Sequence, residues 1–248
     1  MITKKLYYND FFLAECNAKV IAKEGNKVTL DQTVAFPEGG GQEGDKGTIL
    51  LKNEAISFYD TKKGVGRVLH LDDFPTIQVD TPIYHFIDEN QIDMINIGDE
   101  IIVQIDILHR IKTTALHSAL HIALMAAKEK IPEKVEIIKG CSITEQYGRL
   151  DFFTTEKFTP ENIDWINKRV NEIICKNYPI ESYHHPLENE AWYWKCNDFI
   201  CPCGGTHLKK TGDAGLAHIK RKNVGKSMDR LIVTLENIQL CVNDYHCI

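Results

Sequence analysis

The chain has 248 residues, of which 43% are apolar and 26% charged, so it can bury one large core or two modest ones and is not disordered by composition. Its formal net charge of −6 disfavours a non-specific nucleic-acid binder, although a global sum can hide a local basic face. The N-terminal segment has no apolar run long enough for a signal peptide, and no run elsewhere suffices for a membrane span. We therefore expect a cytoplasmic protein, whose eight cysteines are thiols or metal ligands and not disulfides.

The first hundred residues have the pattern of short strands. In residues 18–36, β-branched runs are broken by EGNK, a hairpin-like turn, and residues 46–71 repeat this pattern with glycine-centred breaks. Residues 96–106 contain a turn followed by another short strand. Strands at this spacing predict a small β-barrel or a sandwich.

A change of pattern near residue 108 predicts helices. Residues 108–130 are rich in Ala and Leu, which predicts a long helix that Pro132 ends. Residues 159–177 predict a second helix, with Thr159 as N-cap and Pro160 in the first turn.

The remaining segments after residue 130 predict strands. GCSITEQYGRLDFF predicts two strands around a turn, and AHIKRKN and DRLIVTLENIQL predict one strand each. We therefore expect a β-barrel domain over residues 1–104 and an α+β domain over residues 105–248.

The segment LHSALH places His117 and His121 four residues apart on the first predicted helix. Side chains at this spacing share one helix face, so both imidazoles can reach a single metal ion. The alternative is a pair of helix histidines that only form local hydrogen bonds.

The segment CPCGGTH places Cys203 and His207 four residues apart around two glycines. Glycines allow a tight turn, and thiolate and imidazole are both good zinc ligands. One alternative is a buried thiol beside a surface histidine. Another is a closed structural zinc site made by Cys196, Cys201, Cys203 and His207, in which a single residue between two ligands would be cramped.

The two halves together predict one zinc site with His117, His121, Cys203 and His207 as ligands. Ligands from distant segments are typical of a site that a fold assembles and not of a local zinc finger. Four protein ligands would close the coordination shell, whereas a catalytic zinc usually keeps one position open.

These motifs carry a family resemblance. HSALH followed by CGGTHLKKTGDAG resembles the HxxxH and CxxxH motifs of the alanyl-tRNA synthetase editing domain and of its free-standing relatives, the AlaX proteins. FPEGGGQEGDKG resembles the glycine-rich motif of the β-barrel before that domain. IDILHR, GRLDF and HIKRKNVGKSMDRL match in type and order, so the resemblance covers nearly the whole chain.

The resemblance implies an α+β fold, with a small N-terminal β-barrel followed by an editing domain of the alanyl/threonyl-tRNA synthetase type. The chain is too short for a complete synthetase but carries the glycine-rich motif, which matches the medium class, AlaX-M. The implied activity is zinc-dependent hydrolysis, in trans, of serine and in some members glycine from mischarged tRNA(Ala). The alternative is a non-catalytic, zinc-stabilised tRNA-binding module.

The glycine-rich motif contains Gly39, Gly40, Gly41 and Gln42. Most glycine-rich turns merely close a hairpin, but here the resemblance favours close approach of the backbone to the tRNA end or to the neighbouring domain.

A local basic segment follows the cysteine–histidine motif and gives seven candidate tRNA contacts. They are Lys209, Lys210, Lys220, Arg221, Lys222, Lys226 and Arg230. With two acidic residues in the same segment, the local charge is +5, and phosphate contacts need only such a patch. The alternative is an ordinary solvated strand face.

Two further observations concern the reaction. Ser118 follows His117, so the glutamate base of an HExxH metallopeptidase is missing, and no general base is recognisable beside the motifs. Many relatives carry a polar residue that contacts the serine hydroxyl at the position of Ile138; here Thr114, Cys141 or Ser142 are the candidates for that role.

Overall fold

A computed structural model describes residues 1–240 of the chain. The predicted second domain runs to residue 248, so its last eight residues lie outside the described part. Among residues 1–240, no helix is both long and apolar enough to cross a membrane.

The N-terminal part is built of short strands. In chain order they are β1 (Lys4–Lys5), β2 (Glu15–Glu24), β3 (Lys27–Leu30), β4 (Gln32–Thr33), β5 (Gly47–Leu51), β6 (Glu54–Lys63), β7 (Arg67–Leu71), β8 (Phe74–Val79), β9 (Ile83–Ile87) and β10 (Glu100–Ile105). Six of them close into a barrel in the order β10-β2-β3-β9-β6-β5, and all of its neighbours are antiparallel. The predicted barrel is thus confirmed, and the sandwich is excluded.

Alternation of side chains explains the barrel interior. Val20, Ile49, Ile56 and Val103 are almost completely buried, while their chain neighbours on the strands are more exposed. The predicted turn in EGNK joins β2 and β3, and its glycine has a φ of 57°. A separate hairpin of β7 and β8 stands outside the barrel.

The first helix, α1 (Ile107–Lys130), begins one residue before its predicted start and ends where predicted. The Asp106 side chain caps it by accepting hydrogen bonds from the backbone N–H groups of Leu108 and His109, both at 3.1 Å. Most of its length is buried, because it packs against a second helix and a sheet.

The C-terminal part contains that sheet, the second helix and a second, smaller sheet. In chain order these elements are β11 (Ile137–Ile143), β12 (Gly148–Phe153), α2 (Pro160–Cys175), β13 (Glu181–His185), β14 (Glu188–Cys196), β15 (Phe199–Pro202), β16 (Leu216–Asn223) and β17 (Met228–Glu236). The main sheet has the order β11-β12-β17-β16, and the smaller one β13-β14-β15.

Local signals predicted α2 and the main sheet well. Thr159 caps α2 in a capping box with Asn162, and Pro160 is its first residue. No strand was predicted between α2 and the AHIKRKN segment, where the structure has three, and the last of them, β15, extends into the CPCGGTH motif. The predicted last strand reached Leu240 but ends at Glu236.

The glycine-rich loop joins the barrel to the main sheet. The backbone N–H of Ile143, at the end of β11, donates to Gly41 O at 2.7 Å, and Glu43 N–H donates to Ile143 O at 3.0 Å. The last barrel strand ends at Ile105, and α1 begins at Ile107. The division of the chain into domains at residue 104 stays a prediction.

Candidate metal centre and its cleft

Helix α1 holds His117 and His121 one turn apart on the same face. Their rings stack with centroids 4.9 Å apart and an interplanar angle of 19°. His121 also stacks on Trp194 of β14, at 4.7 Å and 20°. Packing on both sides fixes the rotation of the His121 ring.

The loop after β15 brings Cys203 and His207 to this helix face. A Cβ atom at Gly205 would lie 2.2 Å from His117 Cε1, so only glycine allows the loop to pass here. Leu208 N–H donates to Ser118 Oγ at 2.9 Å and ties the end of the loop to α1.

Four ligand-type atoms converge as a result. Cys203 Sγ lies 3.3 Å from Nε2 of His117, 3.3 Å from Nε2 of His121 and 3.4 Å from Nε2 of His207. All four atoms lie within 4.8 Å of one another. Zinc bonds of about 2.3 Å to sulfur and about 2.0–2.1 Å to nitrogen, at tetrahedral angles, would separate sulfur from nitrogen by about 3.5 Å. The sulfur–nitrogen distances therefore fit a tetrahedral zinc ion.

The protonation states also suit a metal. Burial lowers the pKa of His117 to about 4, and burial with the neighbouring imidazoles lowers the pKa of His121 and His207 well below the ordinary value. Burial raises the pKa of Cys203 to about 12. The imidazoles are therefore neutral, as ligands must be, and the thiol needs a nearby positive charge to lose its proton.

Gln42 of the glycine-rich loop fixes the orientation and tautomer of His117. The buried Gln42 Oε1 accepts from Thr206 N–H at 3.1 Å, so this atom is the amide oxygen and Nε2 donates to Thr206 Oγ1 at 2.9 Å. His117 Nδ1 lies 2.9 Å from the same oxygen and must therefore donate to it. That leaves the lone pair of His117 Nε2 facing Cys203.

Cys201 and Cys196 stand in different relations to the cluster. Cys201 Sγ lies 3.5 Å from His121 Nδ1, on the side of the ring that faces away from Cys203. Cys196 is buried in the hydrophobic core of the C-terminal part. The structure groups Cys203 and His207 with the helix histidines and not with these two cysteines.

The glycine-rich loop is a tight turn in which Gly39 and Gln42 exchange backbone hydrogen bonds of 3.0 and 3.1 Å. Gly40 and Gly41 have φ values of 60° and 87°, as in a type I′ turn. A Cβ atom at Gly41 would lie 2.7 Å from Cys141 O, so the close backbone approach is to β11.

A cleft of about 980 Å³ opens beside the cluster, and His117, His121 and Cys203 lie in its wall. Gly39 and Gly40 form part of another wall, and the β7–β8 hairpin contributes a third through β8. A cleft of this volume is at the upper end of the range for small-molecule sites.

Of the three candidates for contact with a serine hydroxyl, only Cys141 lines this cleft, whereas Thr114 and Ser142 do not. Ile138 and Cys141 of β11 do line it. Thr114 is buried, with its Oγ1 2.6 Å from Thr206 Oγ1, and Ser142 is not part of the lining.

None of the seven predicted tRNA contacts lines the cleft. Lys209 and Lys210 are exposed directly after the metal-site loop, while Lys220 and Lys222 are exposed on β16, the edge strand of the main sheet farthest from β11. Lys226 is exposed in the turn after β16.

At least three of these seven are engaged in ion pairs. Lys210 Nζ lies 3.5 Å from Asp213 Oδ1, three positions along the chain. Arg221 Nε lies 2.8 Å from Asp229 Oδ2, and Arg230 Nη2 lies 2.8 Å from Asp151 Oδ2. The two arginine pairs connect strands of the main sheet, so the charges of Arg221 and Arg230 are partly neutralised.

A buried ion pair anchors α1 to the barrel. No local sequence pattern predicts it. Arg110 and Asp45 are fully buried, with Arg110 Nε 3.1 Å from Asp45 Oδ1 and Nη2 in contact with Oδ2. Arg110 Nη2 also donates to Val34 O at 2.9 Å. The two residues belong to the IDILHR and FPEGGGQEGDKG motifs, but they are 65 positions apart.

Comparison with family models gives two matches. Residues 6–91 match the model of class II (A) tRNA synthetases. Residues 194–232, which include Cys203 and His207, match the second additional domain of threonyl- and alanyl-tRNA synthetases.

Comparison with curated proteins extends the similarity to nearly the whole chain. The alanyl-tRNA editing protein AlaX-M of Pyrococcus horikoshii is 29% identical over 95% of this chain and 99% of its own length. AlaX-M of Saccharolobus solfataricus is 29% identical over 95% of this chain and 100% of its own length. The alanine–tRNA ligase of Sulfurisphaera tokodaii is 31% identical over 93% of this chain, which spans only 25% of that ligase. Similarity that covers almost all of both proteins is found with the AlaX-M proteins, so over nearly its whole length the chain is similar to the AlaX family of alanyl-tRNA editing proteins.

Proposed function

We propose that the protein is a trans-editing hydrolase that cleaves the ester between a wrongly attached amino acid and the 3′ end of tRNA(Ala). Serine is the main substrate amino acid and glycine the second candidate. The observation that carries the proposal is the convergence of His117, His121, Cys203 and His207 at the wall of a cleft wide enough for an aminoacylated nucleoside.

Zinc suits this donor set, and when bound it would polarise the ester carbonyl or position the substrate. His117, His121, Cys203 and His207 would hold it, and Gln42 would keep His117 in the tautomer that offers Nε2. Cys201 would accept from His121 Nδ1–H and do the same for that ring.

The need for a second site follows from the size of alanine. A pocket built for alanine cannot exclude the smaller glycine, and it rejects serine poorly, because a hydroxyl adds little bulk. A cleft that hydrogen-bonds the serine hydroxyl would leave its own polar groups unpaired with alanine and so would spare the correct product. We propose that this reaction takes place in the cytoplasm, because the chain is similar to an alanyl-tRNA editing protein and to an alanine–tRNA ligase.

The first experiment measures deacylation of seryl-, glycyl- and alanyl-tRNA(Ala) by the purified protein, together with its zinc content. We expect rapid loss of serine, or of glycine, while alanine is spared. His121→Ala should lose both zinc and hydrolysis, because it removes one of the four converging ligands.

Full zinc occupancy without hydrolysis of any of the three substrates would contradict the proposed hydrolase activity. It would favour the non-catalytic tRNA-binding module, because the four converging side chains would together fill a tetrahedral coordination shell and leave no open position.

A second prediction concerns Gln42. Gln42→Leu should weaken zinc affinity about 10- to 100-fold, because His117 loses the acceptor that fixes its ring and its tautomer. The affinity is measured by competition with a chromogenic chelator. Gln104→Leu on the barrel, far along the chain from the loop and bonded to Glu15, is the control and should bind zinc as the unmodified chain does. Equal affinities in the two variants would remove Gln42 from the metal site.

A further inference from the structure

Lys63, at the end of β6, lies in the same cleft as the metal cluster and beside the glycine-rich loop. A Cβ atom at Gly39 would lie 3.9 Å from Lys63 Nζ, so the ammonium group sits over that glycine. The Lys63 side chain is exposed to solvent, which it meets inside the cleft.

The charge of Lys63 has no carboxylate partner among residues 1–240. The ion pairs nearby are already formed by other groups: Glu190 Oε2 lies 2.5 Å from Lys5 Nζ, and Glu190 Oε1 accepts from Asp80 N–H at 3.1 Å. Desolvation and the charge of Lys5 lower the pKa of Lys63, and the opposing charge of Glu190, which also lines the cleft, does not offset them. An ammonium group whose charge is costly to keep is one that a bound anion would stabilise.

The neighbouring Lys62 shows the contrast. It points to the other face of β6, as strand alternation requires, and pairs with Glu38 and Asp60 at 3.2 Å each. Lys62 does not line the cleft, and carboxylates of the protein neutralise its charge. Lys63 does line the cleft, where a ligand can reach it.

The turn beside Lys63 offers a second donor. Gly40 lines the cleft, and in the described part of the chain its backbone N–H has no hydrogen-bond acceptor. Gly39 and Gln42 are the first and last residues of a four-residue turn, so their Cα atoms lie within about 7 Å of each other. Since Gln42 contacts His117, an anion at Lys63 would be held a short distance from the cluster.

We propose that Lys63, with the Gly40 amide, binds the phosphate attached to the 5′ oxygen of the terminal adenosine of the RNA. This rests on the proposed function, because it takes the ester on the same ribose to lie at the metal cluster. In single-stranded RNA this phosphodiester is the anion nearest to that ester. Lys63 would then hold the nucleoside by its 5′ side while the cluster contacts its 3′ side.

The decisive experiment is a cycle of two substrates and two proteins. The substrates are 3′-O-seryladenosine with and without a 5′-phosphate, and the proteins are the unmodified chain and Lys63→Met. In the unmodified chain, the phosphate should raise kcat/KM about tenfold, the contribution of one charge-assisted contact. In Lys63→Met that gain should shrink to less than about twofold. Lys62→Met is the matched control and should keep the gain.

A gain that Lys63→Met leaves intact would overturn the proposal, and so would a gain lost equally in Lys62→Met. A separate binding measurement does not depend on hydrolysis. The logarithm of tRNA affinity against the logarithm of salt concentration should have a slope shallower by about 0.7 in Lys63→Met and unchanged in Lys62→Met. If neither the adenosine esters nor seryl- and glycyl-tRNA(Ala) are hydrolysed, the proposed function fails, and this slope decides the role of Lys63 by itself. If only the adenosine esters resist hydrolysis, the proposed function stands and the slope again decides.

Discussion

Cys203→Ser is expected to abolish tight zinc binding and hydrolysis together, whereas Cys201→Ser keeps both. The two cysteines are two positions apart, but only Cys203 Sγ lies at 3.3–3.4 Å from three imidazole nitrogens. Cys201 Sγ contacts His121 Nδ1 alone, at 3.5 Å, and its loss should weaken binding by no more than about tenfold. Zinc content after dialysis and competition with a chelator measure both variants.

The pH dependence of binding gives a second readout of the same ligand set. Since burial raises the pKa of Cys203 to about 12 and lowers that of His117 to about 4, only the thiol must lose a proton when the metal binds at intermediate pH. Zinc affinity should therefore rise about tenfold per pH unit, with one proton released for each ion bound.

The opposite pattern would favour the alternative zinc site. Loss of zinc in Cys196→Ser and Cys201→Ser, with zinc retained in His117→Ala, would assign the metal to the cysteine-rich set. A release of two or more protons per ion would point to the same set, because each additional thiol ligand gives up a proton.

Arg110→Met is expected to lower the free energy of unfolding by about 3–5 kcal/mol. It leaves Asp45 as a buried carboxylate without its guanidinium partner, and it leaves Val34 O without a donor. The long, flexible side chain of methionine replaces most of the arginine stem, so the loss of packing is small. Equilibrium unfolding in urea measures the change.

Two controls separate the buried ion pair from the mere loss of a charge. Arg169→Met removes a partly exposed arginine that pairs with Glu129 and Glu172, and it should cost less than about 1 kcal/mol. Adding Asp45→Leu to Arg110→Met should recover part of the loss, because the unpaired charge is gone. Recovery stays incomplete, because Phe36 N–H loses Asp45 Oδ2 as its acceptor at 2.6 Å. A cost below about 1 kcal/mol for Arg110→Met would mean that the pair does not anchor α1.

Elements governed by local geometry were predictable. The turn in EGNK, the ends of α1 and the Thr159 cap of α2 depend on residues within a few positions of one another, and the structure has them close to the predicted positions. The strands β13, β14 and β15 were not predicted. Their aromatic side chains pack across the small sheet and against other parts of the chain, as Trp192 of β14 does on Tyr8. This partly buried setting leaves no clean alternation in the sequence.

The candidate site shows the same division between local and distant information. Helical spacing put His117 and His121 on one face, and motif order indicated the family. Binding of zinc by the four-residue cluster stays a prediction. The roles of Gln42 and Lys63 required the fold, since Gln42 and His117 are 75 positions apart and the seven basic residues singled out by charge all lie outside the cleft.

The amino-acid sequence alone predicts the short-range features of this protein: the helix face that carries two histidines, the turns, the Thr159 cap and the resemblance to a family. Only the tertiary structure decided which distant groups meet: Arg110 with Asp45, Gln42 with His117, and Lys63 with the cleft. The helical repeat of 3.6 residues and the alternation along a strand fix the directions of side chains that are a few positions apart. Contacts between distant segments depend on how the barrel, the helix and the loops pack together, and no local pattern encodes that packing.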